Sequence, residues 1–168
     1  GLQRLNDLAT IALPGKKALI ITTNGGSVRR YGTLDRVINL LQQNHVESVV
    51  YSDISPNPLA SEDMAAAAFG KENGCDFVIG LGGGSAIDAA KLVALMCTNP
   101  GTLSDYMKDG KSIVNKPLPV VSITTTSGTG SEVDPNAVAS FAESNEKIGY
   151  GDDSLIPVIA IVHPELMV

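Results

Sequence analysis

The sequence has no tryptophan, two cysteines, two histidines and few aromatic residues of any kind, 4% in all. Its cysteines, Cys75 and Cys97, stand in no Cys-x-x-Cys pair and make no disulfide framework, which fits a reducing, cytoplasmic setting. Basic residues are the minority, 12 against 18 acidic ones, for a net charge of −6. Such a chain repels phosphate backbones, and this argues against nucleic acid as a partner. No apolar run reaches membrane-spanning length, and residues 1–7 hold no signal-peptide core. Low-complexity tracts and internal repeats are absent too. What remains is an ordinary globular composition, 43% hydrophobic and 18% charged, over 168 residues, enough for one domain with a real core.

Short apolar runs alternate with helical patterns. Residues 17–22 (KALIIT), 47–51 (ESVVY), 76–81 (DFVIGL), 119–123 (PVVSI) and 157–162 (PVIAIV) read as strands. Between them, Val28, Tyr31, Leu34, Val37, Ile38 and Leu41 keep helical spacing, predicting one helix over 28–44. Residues 59–71 and 85–97 predict two more, 104–107 a helical turn, and 138–141 with 148–150 a hairpin. Uniformly apolar strands alternating with helices predict an α/β fold: a doubly wound, Rossmann-like, mainly parallel sheet with helices on both faces. Ligands of such sheets sit beyond the carboxyl ends of the strands. The informative loops are therefore those after Thr22, Tyr51, Leu81 and Ile123.

The third of these is Gly82-Gly83-Gly84-Ser85-Ala86-Ile87-Asp88-Ala89-Ala90-Lys91, lying directly between a strand and a helix. Glycines let a backbone approach a bulky anion, and the following helix start offers unpaired N–H groups and a positive dipole end. Together they predict a pyrophosphate cradle. Ser85 and Asp88 also stand at capping-box spacing, so Asp88 reads equally as a cap, a loop brace or a cofactor contact. Lys91, one turn further on, reads as a solvated charge.

This decamer resembles the GGGSxxDxAK motif of the iron-containing alcohol dehydrogenases, in the superfamily that includes glycerol dehydrogenase and dehydroquinate synthase. Residues 124–133 (TTTSGTGSEV) are similar to the same family's hydroxyl- and glycine-rich loop, and the resemblance spans nearly the whole chain. It implies nucleotide contacts from Thr125, Thr126 and Thr129. Asn57, in Ser-Pro-Asn-Pro, matches a residue on the adenosine side, or is a plain turn residue. Asn136 and Lys147 match positions at the nicotinamide end, with Lys147 read alternatively as a surface charge on the hairpin.

Where many family members carry Asp at the end of the first strand, this chain has Thr23, followed by Asn24-Gly25-Gly26-Ser27-Val28-Arg29-Arg30. The loop is similar to that of the family's NADPH-dependent butanol dehydrogenase and aldehyde reductase branch. Donors from Gly25, Gly26 and Ser27, with two arginines and no carboxylate, suit a ribose 2′-phosphate. The resemblance thus implies NADP(H), with NAD(H) as the alternative.

It also implies that residues 1–168 are the dinucleotide-binding domain, trimmed at its front edge. A C-terminal helical domain, absent here, would carry one aspartate and three histidines for Fe(II) or Zn(II). The chain itself then holds neither catalytic nor metal-ligating residues and is inactive alone. His45 reads as a surface residue and His163, before Pro164-Glu165-Leu166, as a loop variant without a metal role. The implied reaction is hydride transfer between the cofactor and a small alcohol/aldehyde pair, and homo-oligomerisation stays open. Two other readings stand: a non-catalytic nucleotide-binding module, and a sibling such as maleylacetate reductase or glycerol dehydrogenase.

Overall fold

The computed structural model describes residues 4–167, so the reading of the extreme N-terminus falls partly outside the described residues. Five strands form one parallel sheet: β1 (Lys17–Thr23), β2 (Glu47–Ile54), β3 (Phe77–Gly82), β4 (Val120–Thr124) and, after the hairpin, β7 (Ile159–Val162). The hairpin is β5 (Asn136–Phe141) and β6 (Glu146–Gly151), antiparallel and outside the main sheet. Helices α1 (Ser27–Arg30), α2 (Thr33–Gln43), α3 (Ala60–Glu72), α4 (Gly84–Thr98) and α5 (Leu103–Met107) join them.

Side chains alternate across each strand, and that alternation builds two cores. Leu19, Ile21 and Val78 face α3 and α4; Ala18, Ile20, Phe77 and Ile79 face α2. Both faces are thus covered, as parallel sheets require. The sheet order is β2-β1-β3-β4-β7. From β1 the chain first winds one way to β2 and then crosses to the other side for β3. The switch in direction opens a crevice between the carboxyl ends of β1 and β3, where doubly wound sheets bind ligands. The loops at that crevice are residues 24–26 and 83–84.

The sequence pattern predicts one helix over 28–44; the structure breaks it. Gly32 adopts φ +73, a left-handed conformation, and starts α2 afresh after the single turn of α1. Tyr31, which kept the helical spacing, is consequently 74% exposed. β2 also runs on to Ile54, whose carbonyl accepts from the Asn24 N–H at 2.8 Å, drawing the first loop onto the neighbouring strand.

Candidate functional site

The glycine turn lies between a strand and a helix, as its sequence predicts. Gly82 closes β3 with φ +143, Gly83 is the cap, and Gly84 opens α4. No side chain caps this helix, so its first-turn N–H groups keep no side-chain acceptor. The capping box expected of Ser85 and Asp88 does not form. The helix begins two residues earlier than that motif needs, and both side chains are engaged elsewhere: Ser85 Oγ donates to the Pro56 carbonyl, and Asp88 Oδ2 accepts from the Val138 N–H at 3.1 Å.

Two concavities flank the turn. One, of about 310 Å³, is lined by Asn57, Gly84, Ser85, Asp88, Thr129 and Lys147 among others. Residues far apart in the chain, from Asn57 to Lys147, meet there because the hairpin docks on the segment before α3, Ser140 N–H donating to the Pro58 carbonyl at 2.9 Å. The second, of about 650 Å³, is lined by Ser27, Thr125 and Thr126 together with Arg36 and Glu165. Gly83 stands between the two: a Cβ built on it would lie 3.4 Å from Thr126 Oγ1. On Gly84 it would lie 3.0 Å from Thr129 Oγ1, so the backbone-to-loop approach depends on the missing side chain.

Gly25, Gly26, Gly82, Gly83 and Asn136 line neither concavity. Gly26, at φ +76, caps α1 beside Ser27. Asn136 is exposed and uses its backbone: its N–H donates to Asp134 Oδ1 at 2.9 Å and its carbonyl accepts from Lys91. Lys147 is exposed on β6, opposite Ser140, at the rim of the smaller concavity. Arg29 turns towards β2, its Nη2 3.5 Å from Ser52 Oγ.

Lys91 is not a solvated charge. Its side chain is fully buried, and Nζ donates to Asp134 Oδ1, the Asp134 carbonyl and the Asn136 carbonyl, each at 2.8 Å. An i,i+3 turn of helix inside an apolar face gave no hint of a partner 43 residues away. Ser131 and Ser122 were also missed: Ser131 lines the smaller concavity and bonds Thr129 Oγ1 at 2.8 Å, and Ser122 Oγ donates to the Glu132 carbonyl. Ser131 lay in the hydroxyl-rich loop, where only its neighbours stood out.

Burial pushes the Asp88 carboxyl up from its usual range, against Lys91, Ser131 and the Val138 N–H, which favour the anion. For Asp134 burial is outweighed by the hydrogen bonds from Lys91 and the Asn136 N–H, and its value falls. Behind the site, Asp63 on α3 is 0% exposed with neither oxygen hydrogen-bonded; burial first, then Glu62 and Asp88, hold it well above the carboxylate range. Among the described residues no three His, Cys, Asp or Glu side chains converge as a metal set, and no helix is long and apolar enough to cross a membrane.

Comparison with known proteins bears on this geometry. A family model described as iron-containing alcohol dehydrogenase matches residues 1–164. The chain is 39% identical over 150 residues to NADH-dependent butanol dehydrogenase A of Clostridium acetobutylicum, covering 89% of this chain and 38% of that protein. Among solved structures, an archaeal halo-thermophilic alcohol dehydrogenase from a Red Sea brine pool superposes with a TM-score of 0.91 at 34% identity, over 97% of this chain and 43% of that one. Sulfoacetaldehyde reductase of Bifidobacterium kashiwanohense, solved in complex with NAD+, gives 0.87 at 33%, over 99% and 44%. The chain therefore spans well under half the length of these relatives.

Proposed function

The chain belongs to the iron-containing alcohol dehydrogenase family, and from that premise we propose that it is the dinucleotide-binding half of a nicotinamide-dependent oxidoreductase, residues 1–168 forming that domain. The observation that carries the reading is the uncapped N-terminus of α4, which meets a concavity bordered by Thr129 and Lys147. The pyrophosphate takes the N–H groups and dipole of that helix, over Gly82, Gly83, Gly84 and Ser85. Thr125, Thr126 and Thr129 supply hydroxyls beside it. Asn57 meets the adenosine side, and Asn136 and Lys147 the nicotinamide end. Asp88 braces the hairpin through Val138 while lining the same space.

The finer reading is NADP(H) rather than NAD(H). It rests on this chain's own residues, since the butanol dehydrogenase above is named for NADH. Thr23 puts no carboxylate at the end of β1, and Gly25, Gly26 and Ser27 open α1 beside the crevice. A guanidinium stands at the adjoining strand through Arg29 and Ser52. Such donors suit a phosphate dianion.

In the whole enzyme we propose reversible hydride transfer between that cofactor and a small alcohol/aldehyde pair, in the cytoplasm. Fe(II), or Zn(II), held by residues outside this chain, would polarise the substrate oxygen. This chain's part is to bind and orient the cofactor. Calorimetric titration of the chain with NADPH and NADH tests the reading: saturable binding is expected, and binding of neither would overturn it.

A further inference from the structure

We infer that Lys91 is a positioning residue: from inside the core it sets where the β5–β6 hairpin stands over the cofactor concavity. The inference rests on the cofactor reading above.

An ammonium has three donors, and all three of Lys91's are spent on one short segment, residues 134–136, where β5 begins. One turn earlier on the same helix, Asp88 takes the Val138 N–H. The helix that opens at the phosphate turn therefore holds the hairpin at two successive points along one strand. The hairpin has no place in the main sheet; among the described residues it is also held by the Ser140 N–H on the Pro58 carbonyl and, at its far end, by Lys108 on Ser144 and Glu146. Val138, Ala139, Ser140 and Lys147, which wall the concavity opposite Gly84 and Ser85, are carried by that hairpin.

Stability alone does not call for a lysine here. Removing an ammonium from water is costly even beside a partly exposed carboxylate, and an apolar side chain of similar length in such a place is often as stable. What the ammonium adds is direction: three acceptors at 2.8 Å fix the start of β5 to the helix axis, whereas an apolar contact would let it slide. Lys91 touches no surface of the concavity and reaches a ligand only through the hairpin. Its loss should accordingly be felt most by the nicotinamide half of a dinucleotide, which in the reading above meets the hairpin, and less by the half seated on the phosphate turn.

The test compares the unmodified chain with Lys91→Met, using NADPH and 2′-phospho-ADP, which lacks the nicotinamide riboside. NADPH affinity is expected to fall about tenfold or more, with 2′-phospho-ADP affinity falling by much less. Hydrogen exchange should accelerate at the amides of residues 136–141 and stay unchanged in β1 and β3. Should Lys91→Met fail to fold, Asp134→Ala leaves the ammonium two carbonyls and reads the same split at about threefold. Equal losses for both ligands, or unchanged NADPH binding, would overturn the inference while leaving the cofactor reading intact. Failure of the unmodified chain to bind either ligand would sink both.

Discussion

The Thr125 N–H donates to the Gly82 carbonyl across 2.9 Å. This bond continues the pairing of β3 with β4 by one step beyond Gly82 and Thr124, so the glycine turn and the hydroxyl-rich loop leave the sheet as one unit. A change to either loop is therefore transmitted to the other.

Gly83→Val should show this. The residue's backbone lies in the extended region, so valine brings no φ penalty, yet its Cβ would sit 3.4 Å from Thr126 Oγ1 with two methyls beyond. We expect a folded variant whose NADPH affinity falls about tenfold or more, the equivalent of 1.4 kcal/mol. Calorimetry beside circular dichroism would check it. Undiminished affinity in a folded variant would make the loop a turn and nothing more.

For cofactor choice, Thr23→Asp should move the NADPH-to-NADH affinity ratio towards NADH. A carboxylate at the end of β1 would accept from the 2′-hydroxyl and repel a 2′-phosphate. Arg29→Ala should weaken NADPH alone, by roughly 1.5–3 kcal/mol if its guanidinium bonds the phosphate. Tighter NADH than NADPH binding by the unmodified chain, at one salt concentration, would refute the preference.

How much of this was legible beforehand divides by range. The strands, the burial of β1, β3 and β4, and the turn at Gly82–Gly84 follow from local pattern, whereas β2 and β7, equally apolar in part, stand at the sheet's edges and are only half-buried. The break at Gly32 could not be seen in apolar spacing, which carries on through it. Lys91 reads wrongly as solvated, and the three readings of Asp88 stay undivided, for a different reason. Their partners, Asp134 and Val138, are set by where a hairpin docks, and a charged residue on a helix carries no sign of that.

Asp63 is a buried acid without a hydrogen-bond partner among the described residues, and replacing it should stabilise the fold. With its folded value raised above the unfolded one of about 3.9, its contribution is best below that pH and is lost as pH rises through the folded value. Asp63→Val should gain roughly 1–3 kcal/mol at pH 7, the cost of an unsatisfied buried polar group. The gain should shrink at pH 4. Urea unfolding at the two pH values decides it; a variant less stable at pH 7 would show that a hidden partner satisfies the acid.

Gly32→Ala should destabilise by about 1–2 kcal/mol, the cost of placing a Cβ in the left-handed region, since φ is +73 there. Nothing lies within 4 Å of the added methyl, so the penalty is one of backbone alone. Thermal unfolding would measure it, and an unchanged midpoint would mean that α1 and α2 can fuse.

The strand order also governs how this protein can be made. β3 is bordered by β1, long since synthesised, and by β4, which ends 42 residues later at Thr124. A chain still emerging from the ribosome therefore presents β3 as the open margin of an unfinished sheet, and every one of its six residues is buried in the finished molecule. Such an apolar, unpaired margin is the segment most prone to join another nascent chain. Arrival of β4 moves that margin one strand on, where β7 must close it, and the concavity beside the glycine turn takes its last wall only when the hairpin made between those two strands docks.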